Sequence, residues 1–166
     1  LGRDVASGIV HGAKTSLLIG LIATLVSIFI GIFFGAFAGY FGGRIDDLLM
    51  RITEIFQTIP SFIFAILLVA IMKPSIVSIV IAIAVVSWPG VARLVRGEFL
   101  SLKNREFVQA CHTLGMSDLR VMMKEILPNC LSPIIVIGSL MVATAILIES
   151  GLAFLGLGDP NIMSWG

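Results

Sequence analysis

Charge is scarce in this chain. Only 13% of its 166 residues are Asp, Glu, Lys or Arg, while 58% are hydrophobic. Soluble domains carry about a quarter charged residues, so the composition excludes an ordinary water-soluble domain and indicates an integral membrane protein. The net charge of +1 leaves no excess basic field to displace counterions, which argues against nucleic acid as a partner. Cysteine is nearly absent too. Cys111 and Cys130 have no CxxC spacing and no His arranged for zinc, so both read as small apolar fillers. No Gly-x-x-x-x-Gly-Lys-Ser/Thr phosphate loop is present, so any nucleotide-driven work belongs to another chain and no cofactor is expected on this one. No Ser/His/Asp or paired-carboxylate arrangement supports catalysis, so the chain is not read as an enzyme. The two histidines, His11 and His112, are expected on opposite sides of the membrane and cannot share a metal. His112 reads as a polar-face residue of a short helix.

What is abundant is apolar sequence in long runs. A bilayer core needs about 20 mainly apolar residues per helix, and four segments qualify: about 15–41, 56–72, 75–92 and 130–157. The third is rich in Ile and Val, yet an unpaired strand cannot satisfy its backbone in lipid, so a helix is expected there as well. Pro60 lies near the start of the second segment, where a helix tolerates it. The fold class is therefore all-α, a single polytopic helical membrane domain over 1–166. Basic residues set its orientation. Arg44 and Arg51 follow the first span, and Arg93, Arg96, Lys103, Arg105, Arg120 and Lys124 follow the third. Only Arg3, Lys14 and Lys73 lie on the other side. The segment 93–129 is thus cytoplasmic and both ends of the stretch face outward. Leu1-Gly2-Arg3-Asp4 is not a signal peptide, because the apolar run after Lys14 is too long for one. A start on the outer side and the lack of an initiator Met predict a piece of a longer protein.

The first span carries a ladder of small residues at four-residue spacing: Ala23, Ser27, Gly31, Gly35 and Gly39. Such a face lets another helix approach closely, either within the chain or on a second subunit. Asp46-Asp47 with Arg44 and Arg51 reads as a short solvated cytoplasmic turn. Glu149 is the one acid late in the last span, and an intramembrane carboxylate is a functional candidate. Its depth also suits simple solvation at the outer boundary, and both readings stay open. Asp159-Pro160-Asn161 reads as a turn leaving that span.

The polar block 93–129 carries its own periodicity. Phe107, Ala110, Cys111 and Leu114 follow i, i+3, i+4, i+7, one stripe on a helix. Gly115 suits a C′ position with positive φ, and Ser117 or Asp118 can cap the next helix. Leu119, Met122, Met123, Ile126 and Leu127 continue at helical spacing until Pro128 stops them. Two short amphipathic helices around a Gly hinge suit lipid headgroups or a groove in a partner protein, and the defined turn favours the groove.

The spacing of Gln109-Ala110-Cys111, Gly115 and Leu127-Pro128 resembles the coupling-helix motif of binding-protein-dependent ABC importer permeases, Glu-Ala-Ala, three residues, Gly, nine residues, Ile-x-Leu-Pro. Gln109 and Cys111 depart from it, and Glu125 occupies the Ile position. The stretches Gly2-Arg3-Asp4-Val5, Trp88-Pro89-Gly90-x-Ala92-Arg93-Leu94-Val95-Arg96-Gly97 and Gly151–Gly158 are similar to the dipeptide/oligopeptide/nickel branch, C-type subunit. The resemblance implies a translocation subunit in the bacterial or archaeal cell membrane. It would pair with a homologous permease, two cytoplasmic ATPases carrying ATP, and an extracytoplasmic solute-binding protein. It also implies that Gln109, Ala110, Cys111, Leu114, Gly115, Leu127 and Pro128 form the ATPase-coupling surface. The rival expectation is an ATP-independent channel or secondary transporter subunit.

Overall fold

The computed structural model describes residues 5–159, 164 and 165, and among them there are helices and no β-strand. Gly2, Arg3 and Asp4, and Pro160 and Asn161 of the expected terminal turn, lie outside the described residues. In chain order the elements are α1 (Val5–Phe41), α2 (Gly43–Gln57), α3 (Ser61–Met72), α4 (Ile76–Leu102), α5 (Glu106–Thr113) and α6 (Asp118–Val121). A π-helical turn (Met122–Ile126), α7 (Leu127–Asn129), α8 (Leu131–Leu152) and a second π-helical turn (Ala153–Leu157) complete the described chain. Among the described residues, Gly8–Phe41, Ile76–Leu102 and Leu131–Leu157 are long and apolar enough to cross a membrane. The broken pair Gly43–Gln57 and Ser61–Met72 makes a fourth crossing if taken as one.

Several expected boundaries move. Residues 56–72 do not form one helix: α2 runs to Gln57, and Pro60, with φ −53° and ψ 128°, is the non-helical residue from which α3 starts. A proline also biases the residue before it away from helical geometry, which is why the chain breaks here. The 12 residues of α3 rise about 18 Å, short of a hydrocarbon core of about 30 Å. The helix expected over 75–92 continues to Leu102 with Pro89 inside it, so the first part of the polar block is the end of a long helix. Pro128 does not stop a helix but opens α7. The π-helical turn just before it includes Lys124, whose carbonyl a proline ring four residues on would meet in a regular α-helix.

The described residues divide into two compact units. One draws on Leu1–Ser27, Ile59–Ser87 and Gly138–Gly166. Its core is Ile19 and Ala23 of α1, Ala65 and Val69 of α3, Ile79, Ala82 and Ile83 of α4, and Ala145 and Leu152 of α8. Ala23 and Ser27 of the small-residue ladder are fully buried here. The Ser27 hydroxyl donates to the Ala23 carbonyl at 2.8 Å and reaches that of Ala84 at 3.4 Å.

The other unit draws on Ile28–Thr58 and Trp88–Ile137. Here the rest of the ladder meets α4. A Cβ on Gly31 would strike the Val91 side chain, one on Gly35 would strike the Ala92 carbonyl, and one on Gly39 would lie 2.6 Å from Cβ of Phe99. The partners advance together along both helices, so α1 and α4 run parallel, and Val91, Ala92, Val95 and Phe99 are completely buried. The ladder therefore serves packing within this chain. Trp88 adds an aromatic joint, 4.7 Å from the Phe34 ring and 5.3 Å from that of Phe56.

The acidic pair after the first span is not a solvated turn. It lies in α2, and Asp46 is buried, held by Arg96 of α4 through two hydrogen bonds, Nε to Oδ1 at 2.5 Å and Nη2 to Oδ2 at 2.6 Å. A carboxylate withdrawn from water needs such a fork of donors. Asp47, one position on, stays exposed.

The glycine contact predicts that Gly35→Val loses about 1–3 kcal/mol of stability through overpacking, read from denaturant titration in detergent. Gly97→Ala, with open space around the added methyl, should hold or gain up to about 1 kcal/mol; equal losses for the two variants would contradict the close-approach account. Arg96→Gln should cost about 1.5–3 kcal/mol, and Asp46→Asn introduced into that background should recover part of it. A double variant as unstable as the two single losses summed would show the pair to be uncoupled.

Candidate functional site

The polar segment is built from a short helix, a left-handed turn and a second short helix, all in the second unit. Arg105, with φ −70° and ψ 150°, precedes α5, whose first turn holds Glu106, an acid that suits the helix dipole, and whose last turn holds His112. Val108 is the anchoring side chain of α5 and is fully buried. The helix ends in a double hydrogen bond: Gly115 N–H to the His112 carbonyl at 2.9 Å and Met116 N–H to that of Cys111 at 3.1 Å. This is the Schellman pattern, which requires a left-handed residue at its centre. Gly115 supplies it with φ 77°. On the far side, Val121, Met122 and Ile126 are buried, so α6 and the following π-helical turn are anchored as α5 is.

The predicted coupling residues fall mainly on the outside of this segment. Gln109, Ala110, Leu114, Gly115 and Pro128 are exposed, and Cys111 and Leu127 are half-buried. Leu114 is 81% exposed, and Phe107, Leu119 and Met123 are exposed apolar side chains on the same segment. Of the stripes read from sequence, Met122 and Ile126 are buried while Phe107, Leu114, Leu119 and Met123 remain uncovered, and the further anchors Val108 and Val121 lie outside those stripes. Gln109 donates through Nε2 to the Asn104 carbonyl at 3.2 Å, a local bond that a glutamate could not make.

Ser117 precedes α6 without a side-chain cap bond, and the Asp118 carboxylate serves another partner. Tyr40, near the end of α1, donates its hydroxyl to Asp118 Oδ1 at 2.8 Å and lies 3.2 Å from Nε2 of His112. Lys103 donates Nζ to the Gly39 carbonyl at 3.0 Å and reaches that of Tyr40 at 3.5 Å, satisfying carbonyls that the last turn of a helix leaves free. Sequence reading passed over Tyr40 and Lys103. The available signal was composition, since Tyr40 is the single tyrosine of the chain.

Glu149 belongs to the first unit. It is 1% exposed, so solvation at the membrane boundary is not its setting. Its carboxylate accepts from the Ser16 hydroxyl at 3.0 Å, and the same hydroxyl oxygen accepts the Trp165 N–H at 3.1 Å. Its depth was legible from the sequence but not its partner, which comes from α1. Beside α2, a cleft of about 340 Å³ in the second unit is lined by Asp46, Asp47, Thr53, Glu54, Arg93 and Arg96.

Comparison with known proteins places this geometry. The chain is 44% identical over its full length to the dipeptide transport system permease protein DppC of Bacillus subtilis and 46% identical over 99% of its length to the oligopeptide transport system permease protein OppC of Escherichia coli. It is 40% identical over its full length to the glutathione transport system permease protein GsiD of Shigella dysenteriae. It spans about half the length of these curated relatives, 52–55%. Among solved structures, the inward-facing MetNI methionine ABC transporter superposes with a TM-score of 0.81 over 96% of this chain and 79% of the other, at 16% identity, a likeness of fold. Residues 31–164 match the family described as binding-protein-dependent transport system inner membrane component, and the chain belongs to that family.

Proposed function

We propose that the full-length protein is the translocation subunit of a binding-protein-dependent ABC importer for peptides. The observation that carries this reading is the uncovered apolar surface of α5, the Gly115 turn and α6, held by buried anchors on an otherwise polar segment. A short amphipathic helix with exposed i, i+3, i+4 apolar positions is suited to lie in a groove of a partner protein. Basic residues concentrate around it, which favours the cytoplasmic side. The partner is a pair of ATPases, since this chain has no phosphate loop. A homologous permease would complete the pore, and a soluble binding protein outside would deliver substrate. The relatives compared above are named for dipeptides, oligopeptides and glutathione, which share peptide chemistry. Closure of the ATPases would then bias the membrane helices between two states through the docked segment. An ATP-independent channel has no comparable support.

Within this reading Glu149, a buried carboxyl group in a membrane-spanning helix bonded to Ser16 of α1, would reach the path when the helices around it change state. Glu149→Gln keeps an acceptor for Ser16 while removing the carboxyl group. Peptide uptake in proteoliposomes is expected to fall about tenfold, the factor matching one hydrogen bond of roughly 1.4 kcal/mol; unchanged uptake would remove Glu149 from the path. For the docking surface, Leu114→Asp should leave membrane insertion and stability intact, because the side chain is exposed. Co-purification of the cognate ATPases should drop at least tenfold. Normal ATPase recovery with Leu114→Asp, and with the segment 104–128 replaced by a flexible linker, would refute the coupling role.

A further inference from the structure

The groups around the end of α1 are arranged as a clamp on the polar segment. Tyr40 is half-buried and its ring stands edge-on to Phe41 at 5.2 Å, so its hydroxyl is aimed rather than free to sweep. That hydroxyl donates to Asp118 Oδ1 at 2.8 Å. With its proton committed there, the phenol oxygen accepts from Nε2–H of His112 at 3.2 Å, a donor present in the protonated ring and in one neutral tautomer. His112 is in the last turn of α5 and Asp118 in the first turn of α6. One oxygen atom therefore touches both sides of the Gly115 turn. The carboxylate of Asp118 also lies 4.0 Å from Nδ1 of His112, which closes the triangle.

Two features make this more than a chance surface contact. The N-cap of α6 is Ser117, whose side chain forms no cap bond, and the carboxylate of Asp118, the first residue of the helix, reaches a side chain 78 positions away in sequence. The base of the clamp is also rigid. Gly39, directly before Tyr40, abuts Phe99 of α4, and Lys103 pins the carbonyls of Gly39 and Tyr40. We infer that Tyr40 is a positioning residue for the coupling segment: its hydroxyl fixes the angle between α5 and α6 about Gly115 and ties both helices to the end of α1. Displacement of the docked segment is then passed to α1 directly, and through the glycine contact to α4. The inference rests on the coupling reading proposed above for the role of the segment, while the clamp itself rests on geometry alone.

The experiment uses the full-length chain in lipid nanodiscs, with Tyr40→Phe, Asp118→Ala and the double variant. Tyr40→Phe removes one oxygen and keeps the ring, so the fold is expected to persist. Amide hydrogen exchange across residues 111–121 should rise about three- to tenfold in each single variant, which is about 0.7–1.4 kcal/mol, the order of one hydrogen bond. The double variant should exchange no faster than Tyr40→Phe alone, because Tyr40→Phe removes both hydroxyl contacts while Asp118→Ala leaves the one to His112. In proteoliposomes with the cognate ATPases and binding protein, Tyr40→Phe should keep ATPase binding but lower peptide imported per ATP hydrolysed by a similar factor, a ratio that general loss of folded protein would not move. Unchanged exchange, additive effects of the two substitutions, or looser exchange with an unaltered import ratio would each overturn the positioning role. Failure of the unsubstituted protein to bind any ATPase would instead refute the coupling reading and leave the exchange result to judge the clamp.

Discussion

The close approach of α1 and α4 at Gly31, Gly35 and Gly39 is the contact on which the second unit depends. In lipid the hydrophobic effect offers little drive between helices, because acyl chains are as apolar as leucine. Association relies on packing, and packing between backbones requires faces without side chains. The glycines provide that face, and the wholly buried Val91, Ala92, Val95 and Phe99 fill it. Once α4 is fixed against α1, its polar residues fall into place: Arg96 meets Asp46 of α2, and Lys103 covers the last carbonyls of α1. The ion pair and the helix cap follow from a contact that has no polar side chain in it.

The amphipathic helix α2 inverts the order of a soluble protein: its buried positions are Asp46 and Thr53, while Ile45, Leu48 and Ile55 are exposed. Along α5 and α6 the buried positions are the apolar Val108 and Val121, yet Leu114 and Leu119 are uncovered beside them. In water such surfaces would be a liability. The polar segment 103–129, read as reaching beyond the bilayer, is where an apolar surface calls for a protein partner.

Much of this was legible in the sequence because hydropathy and spacing are local properties. The long apolar runs gave α1, α4 and α8, since a backbone in hydrocarbon has no choice but to pair with itself. Gly115 was legible as a left-handed turn because few other residues adopt that conformation. Boundaries were less so. Residues 56–72 read as one span because apolar composition is blind to the break at Pro60, and 93–102 read as part of a separate polar block because charge does not end a helix. Side-chain partners were not legible. Asp46 looked like surface charge because its neighbours in sequence are charged, and Glu149 stayed open between boundary and interior because its partner Ser16 is far away along the chain.

By itself the sequence determined the class of the protein, its helical content, the small-residue face of α1 and the hinge at Gly115, because each rests on the chemistry of residues within a few turns of one another. Tertiary structure alone decided which helix the glycine face meets, which carboxylates are buried, and which half of each amphipathic stripe is left uncovered. It also decided that the chain's one tyrosine joins α1 to both sides of the hinge. These depend on contacts between residues tens of positions apart, and such contacts exist only once the helices have chosen their neighbours.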